Sequence, residues 1–384
     1  MYPICPWRKC CVKGKKLTVS YHGRDVGVLS ETKDHRVGFS YLPSWLEEGF
    51  PVSPFSLPLK PEVFIPSGMH FGGLWGVFGD SLPDSWGQLL MDRMLKRRGR
   101  DPGQTGQLDR LAVIGESGMG ALCYRPADRL RWKAEMGDLD ELAAECQSIL
   151  KHGEDGDPDR LFTLAGSSGG ARPKVMTDEW IIKFPVSGDD ADVGVMEKEY
   201  MDCAARCGID VPETKLLPSR RCNGYFAVRR FDREKASGGT LLRRHMLTAA
   251  ALLELDWRTP GMDYHTLMKL TKILCLEKPK AVEQMFRRMC FNVLAHNRDD
   301  HSKNFSFIYD DRTDRWDLSP AYDLTWSNTW YGEHTTTVNG NGKDPGENDL
   351  LAVGKAAGMA QAKCRRIIAE LRPETDRLLH LIGM

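Results

Sequence analysis

The 384-residue chain lacks net charge, because 53 lysines and arginines balance 53 aspartates and glutamates. No global field therefore draws it to nucleic acid or to a membrane, and contact with either would need a local patch or a partner. Long apolar runs are missing too. The longest stretch without a charged side chain, residues 63–79, holds Pro66 and five glycines, which excludes a spanning helix and predicts a buried, turn-rich segment. The N-terminal residues show no apolar stretch ahead of a cleavage-like site, so the cytoplasm is the expected compartment. Cys5, Cys10 and Cys11 have no fourth ligand at a zinc-ribbon spacing, and eleven cysteines, an odd number, fit reduced thiols better than a disulfide framework. Internal repeats are absent.

What is present is ordinary globular material. With 41% hydrophobic and 28% charged residues the chain can bury a sizeable core in roughly two or three domains. After a basic arm at residues 1–16, residues 17–126 are rich in glycine, proline and short apolar runs such as 17–21 and 26–29, and read as a β-rich domain carrying one helix over residues 83–98. Residues 127–158 connect it to a second unit, with Gly153, Gly156 and Pro158 marking the boundary.

The second unit, residues 159–384, divides into a small lobe (159–235) and a mostly helical lobe (236–384). A loop dominated by Gly166, Ser167, Ser168, Gly169 and Gly170 precedes a strand at 180–185 centred on Lys183. A helix follows, with Met196, Tyr200, Cys203, Ala204 and Cys207 on its apolar face and Gly208 at its end. Residues 225–233 read as a further strand. Val282, Met285, Phe286, Met289, Cys290, Val293 and Leu294 then mark a buried helix that runs into His296–Asn304.

That last stretch carries the chemistry. Asn304 follows Asp299 by five residues, the interval between base and metal-binding asparagine in protein-kinase catalytic loops, and Arg298 precedes the aspartate. Residues 305–309 and 315–319 flank a polar turn, so a hairpin folds Asp323 back toward Asn304, and both offer hard oxygen to Mg²⁺. Phosphoryl transfer needs those parts: metal ligands, a cation on the phosphates and a carboxylate near the accepting hydroxyl. Lys183, set between Ile182 and Phe184, calls for phosphates and a helix carboxylate as partners. Glu197 and Glu199 flank their helix stripe at similar angles, so periodicity does not choose between them, and Glu197 is preferred. The Gly166–Lys174 loop lets backbone amides approach phosphates, with charge from Lys174.

Taken together, Ser167-Ser168-Gly169-Gly170-Ala171-Arg172-Pro173-Lys174, Ile181-Ile182-Lys183, Arg230-Phe231-Asp232-Arg233, Asp299-Asp300-His301-Ser302-Lys303-Asn304 and Ala321-Tyr322-Asp323 resemble the HipA toxin kinases, in that family's order. Leu82-Pro83-Asp84-Ser85-Trp86-Gly87 and Gly118-Met119-Gly120-Ala121-Leu122 resemble its N-terminal domain. The resemblance implies an α+β, two-lobed, protein-kinase-like fold and a bacterial serine/threonine kinase acting as the toxin of a toxin-antitoxin pair, with Mg-ATP as cofactor. It implies Asp299 as catalytic base, Asn304 and Asp323 as Mg²⁺ ligands and Lys183 as the phosphate-binding lysine. Arg229 to Phe231 would face the adenine, and His301, with Lys303 and Tyr322, would sit by the nucleotide. Ser167, or the adjacent Ser168, would be the inhibitory autophosphorylation site. A helix-turn-helix, HipB-like antitoxin is the implied partner, DNA being reached only through it, and an aminoacyl-tRNA synthetase is one protein target known in the family.

Other readings predict different behaviour. A small-molecule kinase would phosphorylate a sugar or antibiotic, and a nucleotide-binding pseudokinase or corepressor would bind ATP without turnover. A metal-dependent hydrolase built on His296, Asp299, Asp300 and His301 would bind a transition metal and not ATP.

Overall fold

The fold was read from a computed structural model, which describes residues 14–128, 135–152, 156–167, 169–236, 238–276, 278–329 and 331–383. Cys5, Cys10, Cys11 and Ser168 lie outside the described residues. The chain forms two compact units, one from residues 1–188 with Asp232–Asp256, the other from Asp189–Phe231 with Trp257–Met384.

In the first unit, strands Lys16–Tyr21, Arg24–Glu31, Val37–Tyr41 and Leu122–Arg125 form an antiparallel sheet in the order third, second, first, fourth. Alternation puts Leu17, Val19, Tyr21, Leu29 and Phe39 into its core. His22 and Gly23, both at positive φ, make a two-residue turn between the first pair, which glycine favours because it has no Cβ to clash. The expected break at residues 22–25 is thus shorter, and strand pairing resumes at Arg24.

The helix expected at 83–98 is Ser85–Arg97. A second helix, Gln107–Ile114, packs on the sheet through Leu108, Leu111 and Ile114, so the domain is less purely β than its composition suggests. Helix Pro158–Ala165, opened by Asp157 accepting the amide of Asp159 at 3.1 Å, packs against Ser85–Arg97 and delivers the chain to the glycine-rich loop. Strands Lys174–Met176 and Trp180–Lys183 then pair antiparallel.

The stretch expected as one strand over 225–233 is broken. Tyr225–Arg229 ends, and Arg233–Lys235 starts a separate hairpin with Leu241–Arg243. The cause is Asp232, which is fully buried and accepts the Gly120 amide at 2.9 Å and Nη1 of Arg233 at 2.5 Å. Such burial is tolerated because the carboxylate is paired and hydrogen-bonded. Residues 241–248 are short strands rather than helix, and the first helix after them is Ala249–Leu253.

In the second unit, helix Val193–Arg206 packs on the antiparallel pair Thr214–Leu217 and Tyr225–Arg229. Helix Pro279–Leu294 starts at a proline whose missing N–H costs nothing in a first turn. It buries Met285, Phe286, Met289, Cys290 and Phe291 and contacts helices Tyr264–Leu274 and Gln361–Leu381. The hairpin Ser306–Asp310 with Arg315–Leu318 follows in the register Phe307 to Leu318 and Asp310 to Arg315. Among the described residues the cysteines are free thiols, and no helix is long and apolar enough to cross a membrane.

Candidate active site

In the first unit, the glycine-rich loop rests on the N-terminal domain. The Trp86 amide donates to the Gly170 carbonyl at 3.4 Å, and the Met119 amide donates to Oγ of the buried Ser167 at 2.9 Å. Both N-terminal sequence motifs thus touch the loop. Lys174 is buried, and its ammonium donates back to the Gly169 carbonyl. Gly170 stands at φ 92°, a conformation that favours glycine, and a Cβ there would come within 2.7 Å of that ammonium and push the flexible lysine end aside. Ala171 is exposed and Arg172 half-buried at the loop's far side.

Lys174 and Lys183 are direct cross-strand partners. Opposite residues of an antiparallel pair share a face, and like charges there repel unless an anion or other acceptor serves them.

In the second unit, the helix ending at Leu294 passes through His296, at φ 55°, into the loop. Nδ2 of Asn304 donates to the carbonyl of Asp299 at 2.7 Å, which closes the loop and leaves Oδ1 as the amide's remaining donor to a cation. Asp323 takes the left-handed conformation (φ 52°), uncommon for a residue with a Cβ and characteristic of functional turns. The Asp299 side chain is 57% exposed, with protein packed around it. That protein mass raises its pKa above the ordinary carboxylate value; His301 opposes the rise, and the charges of Asp323 and Asp300 add to it. Asp299 and Asp323 are therefore near enough to feel each other. Asn304 Oδ1 and the Asp323 carboxylate are hard oxygens of the kind that Mg²⁺ takes beside waters and phosphate oxygens. Among the described residues no group of three or more His, Cys, Asp or Glu could hold a metal, which gives the hydrolase reading no ligand set.

His301 is half-buried: Nδ1 accepts the Lys303 amide at 3.2 Å and Nε2 faces Oδ1 of Asp299 at 3.9 Å. Phe231 and Tyr322 meet with ring centroids 5.2 Å apart, and the Tyr322 hydroxyl donates to the Lys303 carbonyl at 2.7 Å. Arg229 turns its guanidinium to Glu213 at 3.1 Å. On helix Val193–Arg206, Glu197 is buried and Glu199 half-exposed, a choice that periodicity left open.

Asp300 is structural. Its buried carboxylate accepts from the Thr336 amide at 3.0 Å, the Tyr264 hydroxyl at 2.9 Å and Nδ1 of His334 at 3.0 Å. Asn292 donates to Tyr264 at 2.8 Å and accepts from Asn297 at 3.0 Å, extending the network under the loop. Burial holds the Tyr264 hydroxyl well above its ordinary pKa, so it stays a donor. This support was missed in the sequence; its signal is Asn292, a polar residue that with Gln284 and Arg288 interrupts the apolar buried face of its helix. Burial, with Arg298 nearby, lowers the pKa of His296.

Residues 17–125 match the HipA N-terminal domain and residues 166–378 the HipA-like C-terminal domain. Two proteins of Sinorhizobium fredii are similar along most of their length: "Putative kinase Y4mE", 28% identical over 80% of this chain and 76% of its own, and "Putative kinase Y4dM", 26% identical over 84% and 80%. Among solved structures, HipA in the Shewanella oneidensis MR-1 complex of HipA, HipB and operator DNA aligns with a TM-score of 0.69 and 19% identity, covering 95% of this chain and 90% of that one, which shows a shared fold. With the two HipA domain matches in sequence order and the kinase-type loop set between its supporting network and hairpin, the chain belongs to the HipA family.

Proposed function

We propose that this HipA-family chain is an ATP-dependent serine/threonine protein kinase, the toxin of a bacterial toxin-antitoxin pair. The observation that carries the reading is the clasp of Asn304 Nδ2 on the Asp299 carbonyl, in a loop where the charge of Asp323 acts on the Asp299 carboxylate. Asp299 would orient the acceptor hydroxyl and take its proton as the new P–O bond forms to the γ-phosphorus and the bond from that phosphorus to the bridging oxygen breaks, releasing ADP. Asn304 Oδ1 and the Asp323 carboxylate hold Mg²⁺, which, when bound with ATP, neutralises charge on the phosphates. Lys174 and Lys183, paired across their hairpin, put positive charge on one face for phosphate oxygens. In the first unit, residues 169–172 would offer backbone amides to phosphates; in the second, Phe231 and Tyr322 would offer rings to the base, with the Arg229 backbone, His301 and Lys303 as further nucleotide contacts.

Ser167, or Ser168, is the autophosphorylation site. Because Oγ of Ser167 is buried on the Met119 amide, its modification requires that bond to open. The HipB of the Shewanella complex supports a HipB-like antitoxin as partner; the target we propose is a translation component such as an aminoacyl-tRNA synthetase.

Intact-mass and phosphopeptide analysis of the protein with Mg-ATP, beside Asp299→Asn and Ser167→Ala, tests the reading. Phosphate on the loop that is lost in Asp299→Asn is the expected result. Incorporation that survives Asp299→Asn would overturn it.

A further inference from the structure

No sequence motif draws attention to Trp257, yet its half-buried indole carries two polar side chains of the site and its exposed neighbour Arg258. The His301 imidazole lies against it with centroids 5.3 Å apart and planes at 44°. Nζ of Lys303 stands 5.4 Å from the indole centroid, and the guanidinium carbon of exposed Arg258 stands 5.1 Å from it. Cations gather on an indole because its face is the negative part of its quadrupole.

The imidazole needs such a support. Its Nδ1 accepts one long hydrogen bond from the Lys303 amide, so the neutral ring carries its proton on Nε2, the nitrogen that faces Asp299. At 3.9 Å the Asp299 contact is too long to fix the ring by itself. Loss of the indole would free the ring to turn about its Cβ–Cγ bond and leave Asp299 without its polar neighbour.

We propose that Trp257 is a positioning residue, whose indole face holds His301 with its Nε2–H toward Asp299 and draws Lys303 to the same side of the loop. The kinetic consequence rests on the phosphotransfer reading; the clamp itself does not. A misplaced neighbour of a catalytic group slows the step it serves without removing the group.

The test uses the full chain with Trp257→Leu, which fills the space without a π face, and Trp257→Phe, which restores one. The histidine ring resonances, read by long-range ¹H–¹⁵N correlation, report the His301 tautomer, and intact mass reports phosphate incorporation at saturating Mg-ATP. In Trp257→Leu the single Nε2–H form is expected to give way to a mixture, with incorporation slowed on the order of 10-fold, while Trp257→Phe keeps both near wild type. An unchanged tautomer and rate in Trp257→Leu, or a Trp257→Phe variant as impaired as Trp257→Leu, overturns the proposal. A freed histidine in Trp257→Leu, with a wild-type chain that incorporates no phosphate, supports the clamp and counts against the kinase reading.

Discussion

The Met119 amide and the Ser167 hydroxyl are bonded at 2.9 Å, joining a turn of the N-terminal domain to the glycine-rich loop. The same turn receives Asp232 on the Gly120 amide and Arg243 on the carbonyls of Gly118 and Gly120, at 2.9 and 2.8 Å. Ser167→Ala leaves the Met119 amide without its acceptor, and an orphaned buried donor costs about 1–2 kcal/mol. Thermal unfolding should show a midpoint lower by ~2–4 °C. An unchanged midpoint would mean that the amide has found water or another acceptor.

Nδ2 of Asn304 is bonded to the Asp299 carbonyl, and the proposed kinase reading gives its Oδ1 to the cation. Asn304→Ala should therefore lower the rate of phosphate incorporation on the order of 10²-fold and move the Mg²⁺ titration midpoint to higher concentration. A variant slowed with no change in Mg²⁺ dependence would assign Asn304 to loop closure alone.

Asp300 gathers three donors in a site closed to solvent. Asp300→Asn turns one acceptor oxygen into a donor facing donors, which should cost about 3 kcal/mol. Tyr264→Phe removes one bond and should cost about 1 kcal/mol. Urea unfolding of both variants would check the order, and a Tyr264→Phe loss as large as that of Asp300→Asn would contradict the ranking.

Glu254, at the end of helix Ala249–Leu253, accepts the Gly76 amide at 2.9 Å and the Ser56 hydroxyl at 2.9 Å. Burial is the larger influence and raises its pKa from the ordinary 4.5 to about 7, with Asp80 adding to the rise and the two hydrogen bonds opposing it. A carboxyl whose folded pKa is raised contributes stability that is full below the unfolded value and is lost as pH rises through the folded one. The unit that holds it should weaken between about pH 4.5 and 7, by on the order of 2 kcal/mol once partial exposure is allowed for. Glu254→Gln should flatten that slope in denaturation series at pH 5 and pH 8.

Much of this architecture is legible in local pattern. The helix ending at Leu294, the hairpin after Asn304 and the sheet at the N terminus follow from periodicity and turn residues, and the family motifs identify the loops between them. Helix Gln107–Ile114 was harder to see because it is short and begins at Gly106, without a capping side chain. The break at Asp232 depends on an amide more than a hundred residues earlier in the chain, which no local pattern records. Trp257 and His334 escaped for the same reason: each meets the loop only in three dimensions.

The Asp300 network also orders events during synthesis. Its donors flank it at equal range, Tyr264 lying 36 residues before it and Thr336 36 residues after. A ribosome that has just released the catalytic loop has supplied only the first of them. The carboxylate stays solvated, and the loop unformed, until His334 and Thr336 have emerged, because a buried charge without partners is unfavourable. Domains fold as units during translation, and here that leaves the growing chain without an assembled loop from Asp299 to Asn304 until most of the protein has been made.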